Sequence, residues 1–210
     1  MLEIDKKEIK FIFYTTANFL MAHSRELNQL DSEFGDGDYG TTISKICHTI
    51  KMNVDNWEDN RSIKKFIENL GDDIMGVSGG AAGPLWGTLF LGLSLPLFNE
   101  TKLSVKIFKK MFKSSLDELS EITLAKVGDK TMMDSFIPAV ESISLYEGER
   151  LDEMFTFASE AAIKGCNNTK LYAAKFGKAK KFGDKTIGFI DVSSYSISLL
   201  FQGFLKASSN

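Results

Sequence analysis

The sequence predicts an all-α fold, an antiparallel bundle or barrel of about eight helices, on the strength of three observations. Only three prolines occur in 210 residues, and ten of the seventeen glycines lie between Gly35 and Gly92. The rest of the chain carries apolar residues at helical spacing, with no alternating run closed by a hairpin turn. With 43% hydrophobic residues the chain can bury one sizeable core, so a single domain over residues 1–210 is expected.

The elements follow in order. Ile9, Ile12, Phe13, Ala17, Leu20, Leu27 and Leu30 form an apolar stripe that runs up to a glycine-rich acidic loop. Were that loop an ordinary solvated turn, Asp38 or Thr41 would cap the helix after it. Ile63, Phe66, Ile67 and Leu70 repeat the spacing before Gly71, and an apolar helix is expected over 85–97. Leu103, Ile107, Phe108, Met111, Phe112, Leu116, Leu119 and Ile122 mark the next, within 103–124. Ile137, Val140, Ile143 and Leu145 mark another within 136–146, an alanine-rich helix spans 151–166, and the last is expected from about Ser193 to Lys206.

Composition excludes several function classes. A net charge of −3 with dispersed Lys and Arg argues against a nucleic-acid surface, which needs a basic stripe. The apolar stretch 89–98 is half the length of a membrane span, and the N-terminus lacks a basic-then-apolar leader pattern, so no membrane partner and a cytoplasmic location are expected. Cys47 and Cys166, far apart and outside any CxxC, read as reduced, buried thiols.

The acidic loop reads Asp31-Ser-Glu-Phe-Gly-Asp36-Gly-Asp38-Tyr-Gly-Thr-Thr42. Two carboxylates 4 Å apart repel by roughly 4 kcal/mol at an effective dielectric of about 20, so three in one loop call for protons, bases or a hard cation. Magnesium, with its all-oxygen shell of carboxylates, water and phosphate, suits Asp31, Asp36 and Asp38. The segment 35–40 also satisfies G-x-G-x-x-G, but no strand precedes it and its acids would face a pyrophosphate. An EF-hand counted from Asp36 would put Cys47 where a bidentate Glu belongs. An ordinary solvated acidic turn is the bland alternative.

Three further loops join it. Ser78-Gly79-Gly80-Ala81-Ala82-Gly83-Pro84 feeds a helix N-terminus and offers free backbone N–H groups to phosphate; it lacks the Gly-Lys-Ser/Thr ending of a Walker A loop, and close helix packing explains it equally well. Gly128-Asp129-Lys130-Thr131 and Gly183-Asp184-Lys185-Thr186 repeat one quartet, and each alone is an ordinary N-cap turn. Brought to one end of a bundle, four such loops would surround a phosphate with metal, amides and hydroxyls.

The ordered blocks Leu30-Asp31…Gly35-Asp36-Gly37-Asp38, Gly79-Gly80-Ala81-Ala82-Gly83-Pro84-Leu85, Gly128-Asp129-Lys130-Thr131-Met132-Met133-Asp134, and Gly183-Asp184-Lys185-Thr186-Ile187-Gly188 with Asp191 resemble the nucleotide-binding L subunit (DhaL) of dihydroxyacetone (glycerone) kinase. The resemblance implies an eight-helix bundle with its nucleotide site at one end. It implies that Asp31, Asp36 and Asp38 hold two magnesium ions on ADP or ATP. Tyr39, Gly40, Thr41, Thr42, Gly80, Ala81 and Ala82 then match positions lining the phosphates and nucleoside, Met132 matches one at the base, and Lys178, Asp191, Val192 and Ser193 match the closing segment. In that family the ketose is held on a separate K subunit. In the phosphotransferase-system form, bound ADP is rephosphorylated by a phosphohistidine on an M subunit.

The chain departs from the family pattern at four places. Tyr39 stands for the usual His, Ala82 for Ser, Lys178 for Arg, and Val192-Ser193 for Pro-Gly. Losing a serine hydroxyl removes about 0.5–1.5 kcal/mol of hydrogen bonding, and Lys replaces a bidentate fork by a point charge. The resemblance thus implies an L subunit relaying phosphate from M through ADP to a ketose on K. Two alternatives stay open: a non-catalytic paralogue that binds nucleotide or a transcriptional regulator, and an ATP-dependent kinase subunit for another small substrate.

Overall fold

Asp5 opens the first helix, α1 (Lys6–Ala22), with a capping box. Its side chain accepts from the N–H groups of Lys7 and Glu8, while its own N–H donates to the Glu8 carboxylate at 2.7 Å. The structure, a computed structural model, describes residues 1–209. The α-helices that follow are α2 (Ser24–Asp31), α3 (Tyr39–Asp55), α4 (Ile63–Met75), α5 (Ala82–Ser94), α6 (Val105–Ile122), α7 (Met133–Leu145), α8 (Leu151–Asn168) and α9 (Val192–Ser208). Between α8 and α9 run two 3-10 turns, Thr169–Leu171 and Lys178–Thr186, the second kinked at Gly183.

Helices α3 to α9 each pack on their neighbours in chain order, and α1 packs on both α3 and α9, so eight helices close a ring. Its interior is filled with aromatic rings. Phe204 lies 5.4–6.3 Å, centroid to centroid, from Phe13, Phe112, Phe155 and Phe201. α2 stands outside the ring and packs on α3 and α9.

The all-α expectation holds, with three differences of detail. The first apolar stripe is two helices, because the chain leaves helical geometry at His23 (ψ 7°), whose ring Nδ1 lies 2.8 Å from the Phe19 carbonyl oxygen. Gly71 does not end its helix. It sits where α4 meets α5, and a Cβ there would run into Leu91 and the Gly87 carbonyl. Two three-residue strands, β1 (Glu3–Asp5) and β2 (Lys102–Ser104), pair antiparallel with Ile4 opposite Leu103, a run too short to show an alternating pattern. Among the described residues no helix is long and apolar enough to cross a membrane. Cys47 and Cys166 are buried and free, and burial pushes both thiols up to about 12.

Candidate functional site

One carboxylate shapes the acidic loop. Asp31, the last residue of α2, accepts through Oδ2 from the backbone N–H groups of Gly37 (2.9 Å), Asp38 (3.1 Å) and Tyr39 (3.4 Å). The turn therefore wraps around this side chain, which draws Asp36 and Asp38 toward it. One oxygen from each of Asp31, Asp36 and Asp38 lies within 4.8 Å of the others. Three hard oxygen donors at that spacing, two of them on exposed residues, fit a magnesium ion that keeps part of its water shell.

Small residues bring the loop to its neighbours. A Cβ on Gly40, in the first turn of α3, would collide with the Ser24 carbonyl oxygen, so glycine lets α3 approach α2. Asn28 bridges the same gap with both ends of its amide, accepting from the Thr41 N–H (3.0 Å) and donating to the Thr41 hydroxyl (3.1 Å). Gly79 (φ 146°) stands against the Thr42 side chain, and Lys45 Nζ donates to the Ser78 carbonyl at 3.3 Å. The glycine loop is thereby seated on the first turns of α3. Gly80 (φ 67°) and Ala81 are exposed, whereas Ala82 and Thr42 are buried.

The segment 169–191 reaches the acidic loop from the other side. Lys178 forms an ion pair with Asp36, and this partner holds the Asp36 carboxyl below the usual carboxylate range. Both side chains are more than half exposed, so the pair orients more than it stabilises. Phe34 packs edge-on to Phe189 (5.0 Å) and tilted on Phe182 (5.2 Å), joining the two segments by aromatic contact.

A second polar cluster lies at the N-termini of α7 and α9. Asp191 caps α9 by accepting from the Ser194 N–H (2.7 Å) and the Ser193 hydroxyl (2.5 Å); burial pushes its carboxyl up to about 6 against these bonds. Asp134, fully buried, accepts from the N–H groups of Gly128 (2.7 Å) and Thr131 (2.6 Å), and burial raises its carboxyl as well. Tyr39 turns its hydroxyl inward to Ser196 (2.9 Å). Ser196 spends its own proton on the Ser193 carbonyl, so Tyr39 is the donor. Burial pushes the Tyr39 phenol up to about 12.

The structure thus brings Asp31, Asp36, Asp38 and Lys178 together, with Gly40 and Thr41 beside them. It points the polar groups of Tyr39 and Ser193 elsewhere and packs Met132, 3% exposed, into the core. Val192 is half-buried and packs against the core. Sequence reasoning missed Asn28, Phe34, Phe182 and Phe189, because nothing local pairs an asparagine or a phenylalanine with a partner far along the chain.

The DAK2 domain profile matches residues 33–206. A PEP-dependent dihydroxyacetone kinase 2 ADP-binding subunit, DhaL, from Listeria innocua is 30% identical over 86% of this chain and 84% of its own length. A probable dihydroxyacetone kinase from Dictyostelium discoideum is 28% identical over 94% of this chain, which spans only 33% of that protein. The dihydroxyacetone kinase of C. freundii, whose structure was solved with AMP-PNP and Mg2+, superimposes with a TM-score of 0.73 over 94% of this chain and 33% of that one, at 21% identity. A profile spanning most of the chain, a homologue matched along most of its length and a shared all-α fold agree: this chain belongs to the DAK2 domain family, as a homologue of DhaL ADP-binding subunits.

Proposed function

We propose that this chain is the nucleotide-binding, phosphoryl-transferring subunit of a dihydroxyacetone kinase, with Asp31, Asp36 and Asp38 as ligands of two magnesium ions on ADP. The observation that carries the reading is the convergence of those three carboxylates within 4.8 Å, beside the ammonium of Lys178. The ADP-binding relatives in the same family support it. Bound magnesium would supply charge neutralisation for in-line transfer, a reaction that needs positioning and electrostatics more than a covalent partner.

The protein's own groups divide the remaining work. Asp31 holds the loop in its metal-ready shape through three backbone N–H bonds. Lys178, paired with Asp36 here, would be free to meet a phosphate oxygen when that carboxylate serves as a magnesium ligand. The exposed backbone of Thr41, Gly80 and Ala81 lines the phosphate path, with the buried Gly40, Thr42 and Ala82 supporting it from below. Asp191, Val192 and the backbone of Ser193 close the nucleoside end, and Met132, packed into the core, supports that end from within. The ketose is held on a separate K subunit, and a phosphohistidine M subunit recharges the bound ADP.

A second reading, a nucleotide-binding paralogue without transfer, is favoured by one observation: the Tyr39 and Ser193 hydroxyls are committed to Ser196 and Asp191. Native mass spectrometry of protein purified without added nucleotide is expected to show ADP and magnesium on the chain. Calorimetry is expected to show magnesium-dependent ADP binding that Asp36→Asn abolishes, and an Asp36→Asn protein that binds normally would contradict the assignment. Transfer to a ketose when K and M are supplied separates the two readings, since the paralogue binds and does not transfer.

A further inference from the structure

Lys130 is the one described residue other than glycine with a positive φ, 61°. A left-handed backbone is strained for a lysine, and here the conformation accompanies a side chain driven inward. The residue is 4% exposed, and its ammonium donates to two backbone carbonyls, Thr169 (2.6 Å) and Phe189. Those carbonyls stand at the two ends of the segment between α8 and α9. Its charge faces Asp134 from α7 and Asp191 from the N-cap of α9. Desolvation of a buried ammonium is expensive, so this arrangement persists only because two carbonyls accept its protons and two carboxylates offset its charge.

The rest of the segment is organised around the same point. The Lys175 N–H donates to the Asp129 carbonyl (3.2 Å), its side chain pairs with the Asp129 carboxylate (2.6 Å), and the Gly188 N–H donates to the Lys170 carbonyl (2.8 Å). Lys178 projects from the middle of this loop to Asp36, and Phe182 and Phe189 pack on Phe34. The second quartet does nothing comparable: Lys185 is exposed, and Thr186 turns inward to accept from the Ala174 N–H (2.9 Å). The same four residues therefore do different work in the two places.

We infer that Lys130 is a positioning residue that pins both ends of segment 169–189 and so sets where Lys178 stands over the acidic loop. This rests on the reading that Lys178 meets nucleotide phosphate. Removing the pin frees the segment, and Lys178 then contributes little wherever it drifts.

The test is a double-mutant cycle on the full chain, read as magnesium-ADP affinity by calorimetry. Lys130→Met keeps the length and apolar stem and removes the donors. Lys178→Ala is expected to weaken binding about tenfold in the wild-type background, the scale of one charge-assisted hydrogen bond, and by less than about twofold in the Lys130→Met background. An equal loss in both backgrounds overturns the inference and leaves the phosphate role of Lys178 intact. No loss in the wild-type background shows instead that the premise about Lys178 has failed, and the inference with it.

Should Lys130→Met not fold, hydrogen exchange of the wild-type protein decides. A loop pinned at one point predicts that the amides of Ala174, Lys175 and Gly188 open together. Independent opening of Gly188 and Lys175 overturns the proposal.

Discussion

At the scale of single residues the site contains carboxylates held in opposite directions. Asp36 is kept low by the Lys178 ammonium, whereas Asp191 is pushed up to about 6 by burial. The sign of the second effect follows from proton counting. Between about pH 4, where an unperturbed Asp titrates, and about pH 6, the native state keeps a proton on Asp191 that the unfolded chain has released. The stability this confers is complete below about pH 4 and lost as the pH rises through 6. Asp191→Asn keeps an acceptor for the Ser194 N–H and cannot ionise. Its urea midpoint relative to wild type is therefore expected to rise between pH 4.5 and 7, and a constant difference would show that the native carboxyl titrates normally. Comparing variant with wild type cancels the opposite slopes of Asp36, Asp129 and Asp152, whose carboxyls are held low.

At the scale of elements, the acidic loop is the junction of α2 and α3, and its geometry depends on how closely they meet. Gly40→Ala places a methyl group against the Ser24 carbonyl oxygen and forces the helices apart. The expected loss is about 1–3 kcal/mol in denaturant titration, the usual scale of overpacking, together with weaker magnesium binding as Asp31 moves away from Asp36 and Asp38. Unchanged stability and affinity would mean that the junction yields freely. The acids and the helix before them were legible as a motif and an apolar stripe, and the helix after them only as a capped start. The break at His23 was not, because a backbone that departs by one ψ value leaves the apolar spacing of Leu20 and Leu27 almost undisturbed.

At the scale of the molecule, the ring closes where α9 returns to α1, and the phenylalanines inside it hold the helix ends that carry the loops. Phe204 touches rings from α1, α6, α8 and its own helix. Phe204→Ala is expected to lose about 3–5 kcal/mol in urea unfolding while the folded variant keeps its magnesium-ADP affinity, since the rings it meets, Phe13, Phe112, Phe155 and Phe201, all lie within helices. A parallel collapse of affinity in folded protein would indicate that the core and the site are coupled more tightly than the contacts require.

The sequence by itself determined the helical class, most of the helices, the buried thiols and the acidic cluster of Asp31, Asp36 and Asp38, because periodicity, glycine placement and charge repulsion are local properties. The family resemblance was also legible, as four ordered blocks. The tertiary structure decided which of those blocks face one another. Only ring closure brings Lys178 to Asp36 across 142 residues and Tyr39 to Ser196 across 157. The two identical quartets make the same point: Lys130 is buried and Lys185 is exposed, because one quartet enters α7 beneath the closing segment and the other lies on that segment's surface.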